Sequence, residues 1–485
     1  METWRRGSLA FGLMISGAIG WLLISCAPSG PPADLAEREE IVETIEGLEI
    51  ADPYRWMEEG DSEKVKAWDQ ARVAAFEQYT EPLAQRPWLY DRFQHLWRYD
   101  DESPPQPCLL ADCIVFRTKK AEQDKWVVHL KDDAEAEGRV IIDPNTWEQT
   151  ETLAGFYISP DGRYAAYGKA RGGDENPVLR VLDLETMEHL PDTVRGWRQG
   201  GVSWLHDSSG FFYSAWPLEG EVPEGEHEYW HRSWFHKLGT DPEQDVLIHH
   251  DPEVKETFNG VSVSEDGRWL LASRSKFNKN ELWLEDLRKG RRVPVVTGMD
   301  YEYRAEVVAD RLLIRTDWEA PNYRVMVASV KKPGRDHWRE LIPESEDKLS
   351  YIAPVGGHLY AVYQRNASTR IAVHKLDGTY LNDVELPTIG SAGVWGYWSK
   401  PTVWVSFSSF AHPTSIHTYD VASNSLALYK ESPIDIDASH IVVEQVWYPS
   451  KDGTKVSMFL VHDENAAKDG SVPYLLTGYG GFNIS

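Results

Sequence analysis

Two stretches of this 485-residue chain share one pattern: SPDGRYAAYG at 159–168 and SEDGRWLLAS at 264–273. Each begins with a polar turn that contains aspartate and glycine, and each continues as a run of apolar and aromatic residues. Glycine adopts positive φ without steric cost, so Asp-Gly is typical of tight turns. An apolar run bounded by turn residues is typical of a buried strand. The pattern therefore predicts a turn followed by a strand in both places.

The same unit recurs along most of the chain. Its seven turn markers are 43 residues (357 to 400) to 59 residues (207 to 266) apart, and they are Asp112, Asp161, Asp207, Asp266, Asp310, Gly357 and Lys400. A period in the forties with about four short strands is typical of a β-propeller blade. The sequence therefore predicts a mainly β fold with a seven-bladed propeller over 94–432. An irregular all-β solenoid is the alternative. The longest interval contains an acidic, proline-containing insertion at 217–228, which is expected to be a loop.

Residues 39–93, which precede the blades, carry helical signals. Asp61 and Ser62 are candidate caps for a helix that ends near Tyr79. Pro87 suits the first turn of a second helix that ends near Arg98. One face of the first helix is predicted to be apolar, with Val65, Trp68, Ala71, Ala75 and Phe76 on it.

Composition excludes several classes of function. The chain has 50 Lys and Arg against 77 Asp and Glu, so its formal charge is −27. Nucleic-acid binding normally requires a basic face, so a nucleic-acid partner is not expected. Three cysteines are too few for a disulfide-stapled scaffold. Cys108 and Cys113 are expected to be two half-buried thiols or a minor local disulfide, because four intervening residues in a hairpin can splay them.

The first 26 residues resemble a bacterial lipoprotein signal. Arg5 and Arg6 precede an uncharged, mostly apolar run at 7–24, and Leu-Ile-Ser-Cys at 23–26 resembles a lipobox. We therefore predict a signal peptide at 1–25, lipidation of Cys26 and a tether at 26–38. An uncleaved transmembrane helix is the alternative. The prediction places the protein on the bacterial cell envelope, lipid-anchored, at its periplasmic or extracellular face.

The pattern changes after the seventh blade. Two apolar runs, 441–449 and 455–462, flank a polar turn and predict a hairpin. A further apolar run at 473–477 resembles a buried strand, and it leads into the glycine-rich 478–482. A hairpin and one strand cannot close a core in about 45 residues. The sequence is therefore expected to be incomplete at its C-terminus.

Several segments now carry a family resemblance. They are DPYRWME at 52–58, DPN at 143–145, SPDG at 159–162, APNYR at 320–324, SSF at 408–410, SKDGT at 450–454 and GYGGFNIS at 478–485. With them the chain resembles the N-terminal two-thirds of the prolyl oligopeptidase family of serine peptidases, on its prolyl-endopeptidase branch. The resemblance implies a propeller that closes over an α/β-hydrolase domain and admits short proline-containing peptides, which are cleaved after proline. It also implies that 39–93 belongs with the hydrolase domain and that 433–485 contains the first strands of that domain, which is truncated here.

The resemblance also assigns site residues. Tyr479 matches a tyrosine whose hydroxyl helps to form the oxyanion hole, and Phe482 matches an aromatic of the substrate pocket. Gly480 and Gly481 would let the backbone turn sharply. Asp174 falls where the family often has an acidic residue on the propeller. The chain contains no Gly-x-Ser-x-Gly, so the serine, aspartate and histidine of the triad are not expected in it, and the chain is expected to be inactive alone.

No cofactor or metal is expected. His249 with His250, and His231 with His236, lack the spacing of a known metal motif. Three functional hypotheses remain. The first is a serine endopeptidase, either truncated here or completed by a second chain that carries the rest of the hydrolase domain. The second is a non-catalytic, envelope-anchored propeller that binds a ligand. The third is an unrelated propeller enzyme such as a glycosidase.

Overall fold

The computed structural model describes residues 36–133, 136–198, 200–434 and 436–479. Contacts divide the chain into two units, with the boundary between His95 and Leu96, and each unit is described by itself. Within the described ranges, no helix is both long enough and apolar enough to cross a membrane. Lipidation of Cys26 concerns a residue outside these ranges.

The first unit consists of a short hairpin, a 3₁₀ turn and two helices. Its elements are β1 Val42–Ile45, β2 Leu48–Ala51, the 3₁₀ turn Arg55–Glu58, α1 Glu63–Thr80 and α2 Gln85–Trp97. The Oγ of Ser62 accepts a hydrogen bond of 3.3 Å from the Val65 N–H, which confirms the predicted cap. Neither helix has a buried side chain, and Phe76 and Trp88 are more than 60% exposed. The predicted apolar face is therefore only partly covered within this unit, where Trp68 packs edge-on against Trp56 and Phe76 stays exposed.

The second unit contains seven antiparallel blades followed by a hairpin. Blade 1 consists of β3 Asp101–Glu102, β4 Gln106–Pro107, β5 Ile114–Lys119, β6 Val127–Lys131 and β7 Arg139–Ile142, and blade 2 consists of β8 Glu151–Ile158, β9 Tyr164–Arg171, β10 Val178–Asp183 and β11 Glu188–Val194. Blade 3 consists of β12 Val202–Trp204, β13 Gly210–Ala215, β14 Arg232–Lys237 and β15 Val246–His249. Blade 4 consists of β16 Phe258–Val263, β17 Trp269–Lys276, β18 Lys279–Asp286 and β19 Arg291–Val296. Blade 5 consists of β20 Tyr303–Val308, β21 Arg311–Thr316, β22 Arg324–Ser329 and β23 Arg339–Ile342. Blade 6 consists of β24 Lys348–Val355, β25 His358–Arg365, β26 Ser368–His374 and β27 Tyr380–Asp383. Blade 7 consists of β28 Ser391–Trp395, β29 Trp404–Ser409, β30 His412–Asp420 and β31 Ser425–Glu431. The hairpin is β32 Ile441–Pro449 and β33 Lys455–Asp463, and three further 3₁₀ turns are Pro144–Thr146, Pro242–Gln244 and Arg335–His337.

The sequence repeat corresponds to one structural position. All seven predicted turn markers lie between the first and second strands of their blades. Every blade is built from consecutive strands that pair with their neighbours, so the seven-bladed propeller is confirmed and the irregular solenoid is wrong. The insertion at 217–228 is a connection between β13 and β14, as expected, and contains no strand.

The blade topology gives the propeller two different ends. In an antiparallel meander, the connections from strand 1 to 2 and from strand 3 to 4 lie at one end, which we name the distal end. The connection from strand 2 to 3 and the passage to the next blade lie at the other, which we name the proximal end. The chain enters blade 1 at Asp101 and leaves blade 7 after Glu431. It therefore enters and leaves the propeller at the proximal end.

Apolar side chains are buried mainly between the faces of neighbouring blades. Five clusters join blades 1 and 2, 2 and 3, 4 and 5, 5 and 6, and 6 and 7. Tyr303 and Phe211 are fully buried in these layers. Fully burying a side chain of this size stabilises the fold by about 1.5–3 kcal/mol. Every blade thus shares at least one apolar layer with a neighbouring blade.

Blades 7 and 1 meet through polar contacts as well. The Trp395 Nε1–H donates to the Pro105 carbonyl at 3.0 Å, and Lys430 lies 3.4 Å from Glu102. No strand of either blade inserts into the other blade's sheet among the described residues. Side-chain contacts therefore join the first blade to the last.

Cys108 and Cys113 form a disulfide across the first turn of blade 1, with their Cα atoms 5.3 Å apart. Both residues are buried, so the alternative of two half-buried free thiols is wrong. The disulfide packs on Gly162 in the corresponding turn of blade 2. Gly162 has φ +77°, and a Cβ there would lie 2.5 Å from the Cys113 sulfur. Only glycine fits this position without displacing the disulfide.

A buried histidine links blades 2 and 3. The His236 Nε2 lies 2.7 Å from Asp192 Oδ1 in blade 2, and its Nδ1 lies 2.7 Å from Asp245 Oδ1 in blade 3. Burial by itself lowers the pKa of His236, but the hydrogen bonds to the two carboxylates outweigh it and raise the pKa to about 9. His236 is therefore an imidazolium that donates to both blades.

We predict that His236→Gln destabilises the propeller by about 3–5 kcal/mol near pH 7, because it leaves two buried carboxylates without their cation. A group whose folded-state pKa is raised stabilises fully below its ordinary value of 6.5 and loses that effect as the pH rises through about 9. The stability gap between wild type and variant should therefore shrink at about pH 10. Thermal unfolding at the two pH values measures it, with the exposed His189→Gln as control. A gap of equal size at both values would contradict a charged His236.

Candidate functional site

Two of the residues assigned by resemblance, Asp174 and Tyr479, lie among the described residues. Gly480, Gly481, Phe482 and Cys26 lie outside the described residues. Tyr479 is described, and it is 65% exposed without a hydrogen-bond partner among the described residues. Its neighbours Leu475 and Leu476 are 92% and 83% exposed. In the described structure the Tyr479 hydroxyl is thus presented to solvent, and no group there orients it.

The buried strand predicted at 473–477 is wrong for the described structure. This segment is irregular, and both of its leucines are exposed. A strand needs a partner strand for its backbone hydrogen bonds and a surface on which to bury its side chains. Neither is present next to 473–477 among the described residues, so apolar composition alone does not produce a strand here.

Asp174 lies at the proximal end, in the turn between β9 and β10. Its Oδ1 accepts hydrogen bonds from the Asn176 backbone N–H at 2.9 Å and from the Asn176 side chain at 2.8 Å. It also lines a cavity of about 450 Å³ together with Trp197 and Gly201. Asp174 therefore stabilises its own turn and faces a surface cavity beside the channel.

Arg198 is a residue of this region that the sequence did not single out. Its guanidinium makes two hydrogen bonds to the Glu228 carboxylate, one of them 3.1 Å long, and lies 5.0 Å from the Trp216 ring centroid. The hydrogen bond to Glu228 raises the pKa of Arg198, and the charges of Glu175 and Asp174 add to it. Arg198 thus ties the insertion at 217–228 to the proximal end. In the sequence, Arg198 precedes an acidic insertion, but the pairing of Arg198 with Glu228 depends on the fold.

The central channel is bordered by the first strands of the blades. A cavity of about 570 Å³ at its distal end collects residues from six blades. Ser262 of β16 and Glu306 of β20 line this cavity, while Ser350 of β24 lines a neighbouring one of about 460 Å³ together with Glu306. Glu306 is solvent-accessible within the channel, where desolvation by the surrounding wall, with the charge of the nearby Glu265, raises its pKa to about 7. The channel wall therefore carries small side chains and a carboxyl group that titrates near neutrality.

Two of the histidines singled out in the sequence, His231 and His249, are packing residues in the described structure, whereas His250 is exposed. Burial lowers the pKa values of His231 and His249 to about 4, so both are neutral. The His231 Nδ1 accepts the Asn259 backbone N–H at 2.9 Å. Among the residues that the structure describes, no group of three or more His, Cys, Asp or Glu side chains is arranged to hold a metal ion.

One serine–histidine pair occurs, but it lacks the rest of a triad. The Ser415 hydroxyl lies 2.9 Å from His417 Nε2, and both side chains are buried in blade 7. The His417 Nδ1 is buried without a hydrogen-bond partner in the described ranges, so no acid orients the ring. This pair therefore lacks the acid of a catalytic triad.

Comparisons with known proteins agree with this architecture. The family model for the prolyl oligopeptidase N-terminal beta-propeller domain matches residues 33–432. A prolyl endopeptidase of Elizabethkingia meningoseptica is 32% identical over 451 residues, which cover 91% of this chain and 63% of that protein. Prolyl oligopeptidase A of Galerina marginata is 26% identical over 508 residues, which cover 94% of this chain and 67% of that protein.

Solved structures give the same result. A prolyl endopeptidase structure with 29% sequence identity superposes with a TM-score of 0.88 and covers 93% of this chain and 67% of its own. The chain thus spans 63% of the length of the Elizabethkingia enzyme and a similar share of the other relatives. The match of the propeller model to most of the chain, together with these relatives, shows that the protein belongs to the prolyl oligopeptidase family.

Proposed function

We propose that this chain is the propeller-bearing part of a serine endopeptidase that hydrolyses short peptides on the C-terminal side of proline. The observation that carries the proposal is the seven-bladed ring of a family whose relatives here include prolyl endopeptidases. In this proposal the channel admits extended peptides and excludes folded proteins, because a ring of packed blades cannot widen without breaking the layers between blades.

The position of the C-terminal hairpin supports a hydrolase domain at the proximal end. The Phe459 ring of β33 packs 5.3 Å from Phe410, which lies in the proximal turn between β29 and β30. The Gln445 side chain of β32 donates a hydrogen bond to the Asn366 carbonyl in the proximal turn of blade 6. A domain that continues from this hairpin would therefore begin beside the proximal mouth of the channel. By the same resemblance, residues 39–93 would belong with that domain.

In the assembled enzyme Tyr479 would donate its phenolic hydrogen to the oxyanion that forms on the scissile carbonyl. Phe482 would offer an apolar surface to the proline ring, and Gly480 and Gly481 would allow the backbone to approach the substrate. The nucleophile, base and acid would come from the rest of a hydrolase domain, on the same polypeptide or on a second chain. The short peptide is the substrate, and no cofactor takes part.

We also propose that the protein is a lipoprotein of the bacterial cell envelope. Cleavage before Cys26 and acylation of this residue would anchor it, since two or more acyl chains give stable membrane attachment. Residues 26–38 would then act as a tether at the periplasmic or extracellular face. This proposal depends only on the sequence of the N-terminal segment.

We predict that purified residues 26–485 do not turn over a proline-containing chromogenic peptide, because the sequence has no nucleophile elbow. The protein isolated from its native membrane should instead react with a fluorophosphonate probe. Mass spectrometry then identifies the labelled polypeptide, which should contain this propeller or copurify with it. Phosphonate-sensitive turnover by the purified chain would contradict the first expectation. Absence of any labelled serine in the native protein would refute the peptidase proposal and favour a binding module.

We predict that Cys26→Ala moves the protein from the membrane fraction to the soluble fraction, because it removes the thiol that is acylated. Fractionation and incorporation of a labelled fatty acid measure the change. Ser8→Ala, in the same segment but outside the lipobox, should remain membrane-bound and acylated. A Cys26→Ala protein that still sediments with membranes would show that the segment is an uncleaved transmembrane helix.

A further inference from the structure

The connection between β28 and β29 in blade 7 is the longest of the distal turns that join first and second strands. It covers eight residues, 396–403, whereas the equivalent turn of blade 6 has two, Gly356 and Gly357. We name 396–403 the strap. Gly396, at its start, has φ +149°, and a Cβ there would lie 2.5 Å from Val355. Glycine at this position lets the strap leave β28 directly against blade 6.

The strap is held by a carboxylate from a distant blade. Glu265 lies in the distal turn of blade 4, and its two oxygens accept the Trp398 and Ser399 backbone N–H groups at 2.8 Å each. In a ring of seven, blades 4 and 7 are separated by two blades on one side and three on the other. A direct contact between their turns must therefore cross the mouth of the channel.

Glu265 is not needed by its own turn. In that turn Asp266 accepts the Arg268 N–H at 3.1 Å and the Ser264 hydroxyl. The matching Asp161 of blade 2 makes the same two contacts, although proline stands at the position that corresponds to Glu265. The same turn thus forms with or without a glutamate there. The carboxylate of Glu265 is therefore available for the strap.

Three other blades hold the remainder of the strap. The Tyr397 carbonyl accepts the Gly356 N–H of blade 6 at 3.0 Å, and the Trp398 ring packs on the apolar layer between blades 5 and 6. The Lys400 ammonium donates to the Ala111 carbonyl of blade 1 at 3.2 Å. Trp398 and Ser399 also line the 570 Å³ cavity at this end of the channel. The strap therefore forms one wall of that cavity.

We infer that the strap, latched by Glu265, closes the distal end of the channel, so that a peptide can enter or leave only at the proximal end. The latch itself is independent of any catalytic activity. The role of the latch in peptide entry and exit rests on the proposed function. If that function fails, the strap still makes the channel a blind tunnel.

The latch is tested by amide hydrogen exchange of the full chain. Glu265→Ala should increase exchange at Trp398 and Ser399 by about tenfold or more, because both N–H groups lose a charged acceptor. Peptides from the interior of β29 should not change. Asp310→Asn is the matched control, since it removes one carboxylate charge from the distal turn of blade 5. Glu265→Gln, which keeps one oxygen acceptor, should give an intermediate rate. Unchanged exchange in both Glu265 variants would overturn the latch.

Closure is tested by thiol labelling without any peptidase assay. Ser262→Cys places a thiol in the distal cavity, and Ser391→Cys places one at the proximal end of β28. Adding Glu265→Ala should speed labelling of the first thiol by a bulky maleimide by about tenfold, and leave the second unchanged. Equal labelling of Ser262→Cys with and without Glu265→Ala would show that the strap does not close the channel. Since neither assay uses substrate, their outcome is separate from that of the proposed function.

Discussion

The structure depends on one constraint, which is that a propeller blade buries its faces only against its two neighbours. Five apolar layers between blades supply this burial, while hydrogen bonds such as Val263 N–H to the Ser203 hydroxyl, at 2.9 Å, join blades 3 and 4. Because every layer involves two blades, loss of one layer exposes the faces of both. The imidazolium of His236 adds a charged link between blades 2 and 3. The channel therefore cannot widen by the movement of one blade, because that movement would break the layers on which the blade packs.

The ring also separates two ends with different roles. The chain enters and leaves at the proximal end, where Arg198 fixes the insertion at 217–228 and the C-terminal hairpin packs against Phe410. At the distal end, a glutamate that its own turn does not need holds the strap of blade 7 across the mouth. The proposed catalytic domain and the proposed closure thus lie at opposite ends of one channel. With the distal end closed, peptides would enter and leave the channel only at the proximal end.

Much of the fold could be predicted from the sequence because the repeat is local. Each turn with its following strand, such as 159–168, shows its structure within about ten residues, and Ser62 marks the start of a helix. Contacts between distant segments were not predictable in this way. The Glu265 latch spans 133 residues, and Arg198 meets Glu228 only because β13 and β14 bring the insertion back. The strand predicted at 473–477 is absent for the same reason, since no partner strand lies beside this segment among the described residues.

The most direct measurement of the central claim is the dependence of hydrolysis on substrate size. The native protein would be given one proline-containing cleavage sequence in a short peptide, in a long unfolded peptide and in a surface loop of a folded protein. We expect cleavage of the short peptide and loss of kcat/KM by orders of magnitude for the folded substrate, because the blades and the strap leave no wider route. Comparable cleavage of the folded protein would show that the propeller does not control access.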